Sequence, residues 1–199
     1  MSETAERRYH HGNLRAALLA RAETVLREEG AGALSLRELA RDVGVSHGAP
    51  RRHFADKQAL LDALAVVGFT RLGETLAAAD PGTGPFPARA GAVARAYVGF
   101  ATREANLLDV MFAAKHTTPD PTAIAAAADR AFLPVLALIT DGQAAGALAA
   151  GDPEDFGVAL FATLQGLAAL ANRGMLADAT LDERVDDAVA RLLRGSAPR

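Results

Sequence analysis

The most constraining feature of this sequence is the spacing of its apolar residues. Between residues 13 and 29 they recur every three or four positions, at Leu14, Leu18, Ala22 and Val25. This is the period of an amphipathic helix. The same spacing returns in the segments 88–104, 106–115, 121–146, 153–173 and 181–194, and no segment shows sustained alternation of apolar and polar residues. The sequence therefore predicts an all-α fold.

Gly and Pro residues mark the joints between these segments. Asp56 is a suitable N-cap for a helix that runs from Lys57 to about Ala79. The stretch that follows, residues 80–87, holds three Pro and two Gly and cannot continue this helix. We place a domain boundary inside the helix, ahead of the loop. The prediction is an N-terminal domain over residues 10–65 and a C-terminal domain over residues 66–199.

Composition excludes several functions. There is no Cys, so disulfides, thiolate zinc sites and Cys nucleophiles are excluded. Residues 2–13 are polar and do not form a signal peptide, which favours a cytoplasmic protein. The most apolar stretch, residues 156–171, is short for a bilayer span and is interpreted as a buried helix. Net charge is −3, but residues 1–57 carry ten Arg or Lys against eight Asp or Glu. The N-terminal part is thus mildly basic.

Residues 35–53 have the pattern of a helix-turn-helix. Ser35 and Glu38 have capping-box spacing and open a short helix, Gly44 ends it with a tight turn, and Ser46 can cap a third helix that runs to about His53. Ala40 is the small residue expected where the two helices touch. The apolar residues that would lock both helices to a core are Leu36, Leu39, Ala40, Val43, Val45 and Phe54.

The third predicted helix presents polar and small residues outward: Ser46, His47, Gly48, Ala49, Arg51 and Arg52. Side chains of this kind on a short helix can reach base edges and phosphates in a major groove. The alternative is a helical hairpin within a larger core that carries surface arginines.

The residues of this segment also resemble a known family. The run Leu34-Ser-Leu-Arg-Glu-Leu-Ala-Arg-Asp-Val-Gly-Val-Ser46, followed by Arg52-His-Phe-Ala-Asp-Lys57 and by Leu60-Leu61, is similar to the DNA-binding domain of TetR-family regulators over about residues 10–65. The resemblance implies a three-helix DNA-binding domain, a connecting fourth helix and a helical domain for ligand binding and dimerisation. Such a protein would be a ligand-responsive repressor, acting as a homodimer on a palindromic operator.

A narrower resemblance rests on Tyr9-His-His-Gly-Asn-Leu-Arg15 and Ser46-His-Gly-Ala-Pro50, which are similar to the TetR subset with a WHG-type C-terminal domain. Two positions depart from the family pattern. Arg51 stands where a Tyr usually contacts a phosphate, and a guanidinium can keep that contact as a charged donor. Pro50 stands where the family has an apolar residue, and its missing N–H is expected to loosen the start of the recognition helix.

The resemblance assigns roles by position. Ser35 and the start of its helix would hold phosphate through backbone N–H groups. Lys57 matches the family's phosphate-binding lysine. His47 and Gly48 are the expected base readers, with the Ala49 methyl beside a thymine methyl. The full predicted DNA-binding set is Ser35, Arg37, Ser46, His47, Gly48, Ala49, Arg51, Arg52, His53 and Lys57.

In the C-terminal domain, the family resemblance implies an effector pocket of apolar walls with a few polar groups. The effector would be a small, largely apolar molecule. Ordinary core is the alternative for each candidate residue. The predicted lining is Tyr97, Phe100, Arg103, Met111, Phe112, His116, Phe132, Leu136, Phe161 and Gln165.

The segment 153–173 is apolar nearly all round, so it needs cover on two sides. Its own domain can supply one side and a second copy the other. The last segment, 181–194, carries one apolar stripe and is expected to complete a four-helix interface. The predicted interface residues are Phe156, Leu160, Gly166, Leu167, Leu170, Val185, Val189 and Leu192.

The sequence gives little support for metal binding or catalysis. His10 and His11 are adjacent, with no spaced third ligand, so no metal site is predicted. Asp186 and Asp187 suit a polar helix face better than paired catalytic carboxylates. We expect no cofactor and no enzymatic activity. Two alternative functions remain. One is a helical enzyme, and the other is a helical small-molecule-binding protein that has lost DNA binding. In the second case, the departures from the family pattern at Pro50 and Arg51 would reflect that loss.

Overall fold

The computed structural model describes residues 3–118, 121–177 and 180–197, and the side chains of residues 3–13 and 115–117 are left out of the description. Within these ranges the chain is helical and contains no strand. The all-α prediction is confirmed. The helices are α1 (Glu3–Glu29), α2 (Leu36–Asp42), α3 (Lys57–Ala79), α4 (Phe86–Arg103), α5 (Ala105–Thr117), α6 (Thr122–Ala144), α7 (Pro153–Asn172) and α8 (Leu181–Gly195).

The chain forms two compact units, and the first contains Met1–Gly68 and Asn106–Ala125. It therefore includes α1, α2, the first half of α3 and nearly all of α5. Its core is built from fully buried side chains of these helices, among them Leu18, Leu26, Leu39, Leu60, Leu64 and Met111.

Side-chain hydrogen bonds from Asn106 of α5 and from Thr118, just after α5, join this segment to the rest of the unit. The Asn106 amide donates to the Leu26 carbonyl at 2.9 Å and to the Arg27 carbonyl at 3.3 Å, near the end of α1. The Thr118 hydroxyl donates to Asp62 of α3 at 2.7 Å. The sequence alone does not predict that α5 belongs to this unit, because these bonds join residues more than fifty positions apart.

The second unit contains Phe69–Ala105 and Ala126–Arg199. Here α4 packs against both α7 and α8. The Arg89 guanidinium of α4 donates to both carboxylate oxygens of Asp80 at 2.8 Å and to Asp141 of α6 at 3.0 Å. These bonds fasten the loop after α3 to α4 and α6, and the hydrogen bonds from Arg89 lower the pKa of Asp80.

Helix ends follow the predicted caps in part. Asp56 accepts from the Ala59 N–H at 2.8 Å, and Ser35 accepts from the Glu38 N–H at 3.5 Å, as predicted. The reciprocal half of the Ser35 capping box is not formed, because Glu38 pairs with Arg41, one turn along the same helix. Thr180, the residue before α8, donates its hydroxyl to the Ala177 carbonyl and does not cap α8.

Candidate functional site

The turn between α2 and the segment after it has the predicted form. Gly44 has a φ of 74°, which a residue with a Cβ rarely adopts. The Val45 N–H donates to the Ala40 carbonyl at 2.9 Å and the Gly44 N–H to the Arg41 carbonyl at 3.1 Å. This pair of bonds is a Schellman motif, which stops the helix and turns the chain sharply.

The predicted third helix, from Ser46 to His53, is not an α-helix. This segment consists of turns and a short 3-10 helix over Pro50–Arg52. An α-helix that begins at Ser46 needs a bond from the N–H of residue 50 to the Ser46 carbonyl, and proline has no N–H. The Ser46 carbonyl instead accepts from Ala49, three residues on, at 2.9 Å. Ser46 is correspondingly not the N-cap, a position that Ala49 occupies.

Pro50 also holds this segment in place, because its ring is buried in the interior of the unit. The His53 and Phe54 N–H groups both donate to the Pro50 carbonyl at 2.9 Å. Phe54 is buried, and the Arg15 guanidinium of α1 lies 5.3 Å from the centre of its ring. A cation at this distance is attracted to the ring face. Arg15 was not predicted to support the motif, because its partner is far along the chain.

Residues 46–53, which we call the reading segment, and the start of α2 border one groove of about 710 Å³. Six of the predicted DNA-binding residues line it: Ser35, Arg37, His47, Gly48, Arg51 and Lys57. Three of them are cations, and Asp56 is the acidic residue among the lining, where its carboxylate caps α3. The Lys57 ammonium donates to the Gly32 carbonyl at 3.0 Å, which fixes its position at the groove and leaves further N–H donors.

The remaining predicted DNA-binding residues lie outside this lining. Ser46 and Arg52 are exposed, and Ala49 is half-buried. His53 is half-buried with its Nε2 enclosed by the protein, a position suited to supporting the motif. Leu34, Leu36 and Ala55 line the groove although they were not predicted to. Because these three side chains are apolar, the sequence did not indicate that they would border a DNA-binding surface.

The predicted pocket residues divide between the two units. Met111 and Phe112 belong to the first unit, and the His116 side chain lies outside the described part. In the second unit, Tyr97 and Phe100 are buried, Arg103 is exposed, and Phe132, Leu136, Phe161 and Gln165 are half-buried. The Phe161 ring packs edge-on against both Tyr97 and Phe132, with centroid distances of 5.7 and 5.6 Å.

Helix α7 is less buried than its sequence suggested. Its buried residues are Leu164 and Ala168, on the side toward its own unit. The opposite side is an exposed stripe of apolar and small residues, made of Val158, Ala159, Ala162, Gly166 and Leu170. The interpretation of 156–171 as a buried helix is therefore wrong for a single chain. Phe156, Leu160 and Leu167 are half-buried beside the stripe.

Helix α8 differs from the prediction that its apolar stripe faces a partner. Leu181, Val185 and Val189 are buried inside the unit, where α8 packs against α4 and α7. Val185 and Val189 are 0% and 3% exposed, so they have no surface to offer a second chain. Leu192 is half-buried, and Asp182, Glu183, Asp186 and Asp187 are exposed. The apolar stripe of α8 is thus buried by its own chain.

By length and composition alone, α6 and α7 could each cross a membrane. This is weak evidence, because core helices of soluble proteins pass the same test. Among the side chains that the structure describes, no group of three His, Asp or Glu residues could hold a metal ion. The adjacent pair His10 and His11 lies outside the described side chains.

A short helix, a Schellman turn and a basic groove in a purely helical unit define a helix-turn-helix DNA-binding protein. Two family models match the chain. Residues 18–64 match "Bacterial regulatory proteins, tetR family", and residues 91–195 match "Tetracyclin repressor-like, C-terminal domain". The chain belongs to the TetR family of bacterial transcriptional regulators. Members of this family are DNA-binding transcription factors, so the chain is a DNA-binding regulator and not an enzyme.

Solved structures have the same fold. A protein of unknown function from Rhodococcus sp. RHA1 is 44% identical, with a TM-score of 0.87 over 96% of this chain and 98% of that one. A tetR-family regulatory protein from Rhodococcus RHA1 is 23% identical, with a TM-score of 0.71 over 94% and 98%. The TetR-family regulator PfmR from Thermus thermophilus is 19% identical, with a TM-score of 0.67 over 92% and 99%. A search of curated proteins found no match.

Proposed function

We propose that this regulator is a ligand-responsive repressor that acts in the cytoplasm as a homodimer on a palindromic operator. The observation that carries the proposal is the groove formed by α2 and the reading segment. It brings together Arg37, Arg51 and Lys57, with His47 and Gly48 in the same lining. The cations would hold phosphates, and His47 and Gly48 would read bases.

The exposed stripe on α7 supports the homodimer. A helix with Val158 at 67% and Leu170 at 37% exposure presents apolar surface to water, and a second copy would cover it. Gly166 and the alanines of the stripe would allow two α7 helices to approach closely. A two-fold dimer would use the short reading segment twice, which accounts for a palindromic site.

The ligand-responsive part of the proposal concerns the second unit. Ligand binding there would favour a state whose reading segments no longer match the operator spacing. The shift is limited by the difference in ligand affinity between the two states. We propose that residues 10–65 form the DNA-binding domain and residues 66–199 the effector and dimerisation domain. Helix α5 falls within residues 66–199 in sequence, but the structure places nearly all of it in the first unit.

The experiment is selection of bound fragments from genomic DNA, followed by footprinting and titration of the best site. We expect a two-fold symmetric footprint. With about six groove cations per dimer, we expect affinity to fall about 1,000-fold between about 50 and 200 mM salt. A chain that selects no fragment would be the small-molecule-binding protein without DNA binding. Metabolite extracts that release the selected DNA would support ligand-responsive repression.

A further inference from the structure

Tyr97 of α4 carries a buried polar atom that the fold does not use. The residue is 3% exposed, and its hydroxyl has no hydrogen-bond partner among the described residues. Burial raises the pKa of Tyr97, so the hydroxyl stays protonated at physiological pH and can donate. A phenylalanine would fill the same space without leaving a polar atom unpaired.

The surroundings of Tyr97 are aromatic. Phe161 of α7 meets the Tyr97 ring at an interplanar angle of 65°, and Phe132 of α6 meets the Phe161 ring at 85°. The three rings come from three different helices of the second unit. Since Phe132 and Phe161 are only half-buried, the cluster joins the buried Tyr97 to side chains that are partly exposed to solvent.

Charge is absent from this interior. No charged side chain is buried anywhere in the described part of the chain. An ionised ligand at the buried Tyr97 end of the cluster would lose its hydration without a buried counter-charge, which is strongly unfavourable. The site thus favours a neutral molecule, and an edge-to-face ring arrangement suits an aromatic one.

We propose that the cluster of Tyr97, Phe132 and Phe161 binds a neutral aromatic compound with one hydrogen-bond acceptor, such as a carbonyl oxygen, which accepts from the Tyr97 hydroxyl. The inference rests on the proposed ligand-responsive function and specifies the chemistry of its effector. The aromatic part of the ligand lies against the rings of Phe132 and Phe161, and the acceptor satisfies the buried hydroxyl.

The test compares naphthyl methyl ketone with ethylnaphthalene, which keeps the naphthalene ring and a two-carbon substituent but has no carbonyl acceptor. Both are titrated calorimetrically into the full-length protein and into Tyr97→Phe. We expect the wild type to bind the ketone about 5-fold tighter than Tyr97→Phe does, the effect of one hydrogen bond. Ethylnaphthalene should bind both proteins equally. Phe132→Leu should weaken both probes, since it removes a ring that both contact.

A structural role for Tyr97 makes a different prediction. If the hydroxyl only stabilised the fold, Tyr97→Phe would melt at a lower temperature, whereas we expect the ligand-free variant to melt at the same temperature or higher. Equal ketone affinity in the two proteins, or no binding of either probe, would overturn the inference and leave ligand-responsive repression to other sites. Tyr97-dependent ketone binding that leaves operator affinity unchanged would support the site and count against ligand-responsive repression.

Discussion

At the scale of single residues, one proline decides the conformation of the reading segment. Pro50 removes the N–H that would start an α-helix at Ser46, and the segment closes with bonds between residues three apart. The positions of His47, Gly48 and Arg51 at the groove follow from this backbone. A change at Pro50 is therefore expected to move all three residues together.

Pro50→Leu restores the N–H, and we expect residues 46–53 to become α-helical, with a higher melting temperature and an altered operator preference. The change should appear as increased helical circular dichroism, and as shifts of about 1–3 kcal/mol per affected base pair in binding to operator variants. Pro50→Ala restores the same N–H with a smaller side chain, so it separates the backbone effect from packing in the buried site. Unchanged dichroism and preference in both variants would contradict this role.

Lys57 and His47 should affect DNA binding in different ways. Lys57→Ala removes a cation, so we expect weaker binding to all sequences and a salt dependence reduced by about one released counterion per subunit. His47→Ala should leave the salt dependence nearly unchanged and relax preference at one or two base positions. Titrations of operator and random DNA at several salt concentrations distinguish the two. A sequence-selective effect of Lys57→Ala would be inconsistent with a phosphate contact.

At the scale of helices and loops, long-range polar contacts hold elements that local sequence cannot connect. Arg89 joins the loop after α3 to α4 and α6 through Asp80 and Asp141. Gly73 of α3 makes a similar long-range fit, since a Cβ there would lie 2.9 Å from the Ala131 Cα of α6. Neither partner could be chosen from spacing alone.

Asp80→Asn should destabilise the second unit, because it removes the charge that accepts two hydrogen bonds from Arg89. We expect the melting temperature at neutral pH to fall by a few degrees. Asp141→Asn is the matched control and should cost less, since Asp141 receives one of these bonds and is 59% exposed.

The same contact implies a pH dependence. The pKa of Asp80 in the folded protein lies below its ordinary value of 3.8. Its contribution to stability is therefore complete above that value and is lost as pH falls through the lower, folded-state pKa. The difference in melting temperature between wild type and Asp80→Asn should shrink in this acid range. A constant difference down to low pH would contradict the ion pair as its source.

At the scale of the whole molecule, α7 determines the expected assembly. Its exposed stripe is apolar, and α8 cannot supply a second stripe because Val185 and Val189 are buried in the same chain. The proposed interface therefore centres on α7. Leu133 of α6 and Met175, just after α7, are also more than half exposed and belong to the same unit.

Gly166→Arg tests this assembly without disturbing the protomer. A Cβ at Gly166 meets no atom within 4 Å, so the larger side chain fits a single chain. In a dimer it would place charge and bulk between two α7 helices. We expect the wild type to sediment as a dimer at micromolar concentration and the variant as a monomer or aggregate without operator binding. Gly151→Arg has equally open surroundings outside α7 and should remain dimeric. A wild-type monomer with full operator affinity would contradict the interface.

What the sequence determined by itself is local. Helix periods, the Gly44 turn and the Asp56 cap depend on residues a few positions apart, and each was predictable. The sequence predicted that Pro50 loosens the start of the recognition helix. It did not predict that the α-helix is lost, because that depends on how the buried proline ring packs. Tertiary structure alone decided that α5 joins the first unit, that α8 buries its apolar stripe and that Arg89 finds Asp80 and Asp141. An apolar or charged side chain specifies that it needs a partner, and only the packed chain determines which partner is near enough to meet that need.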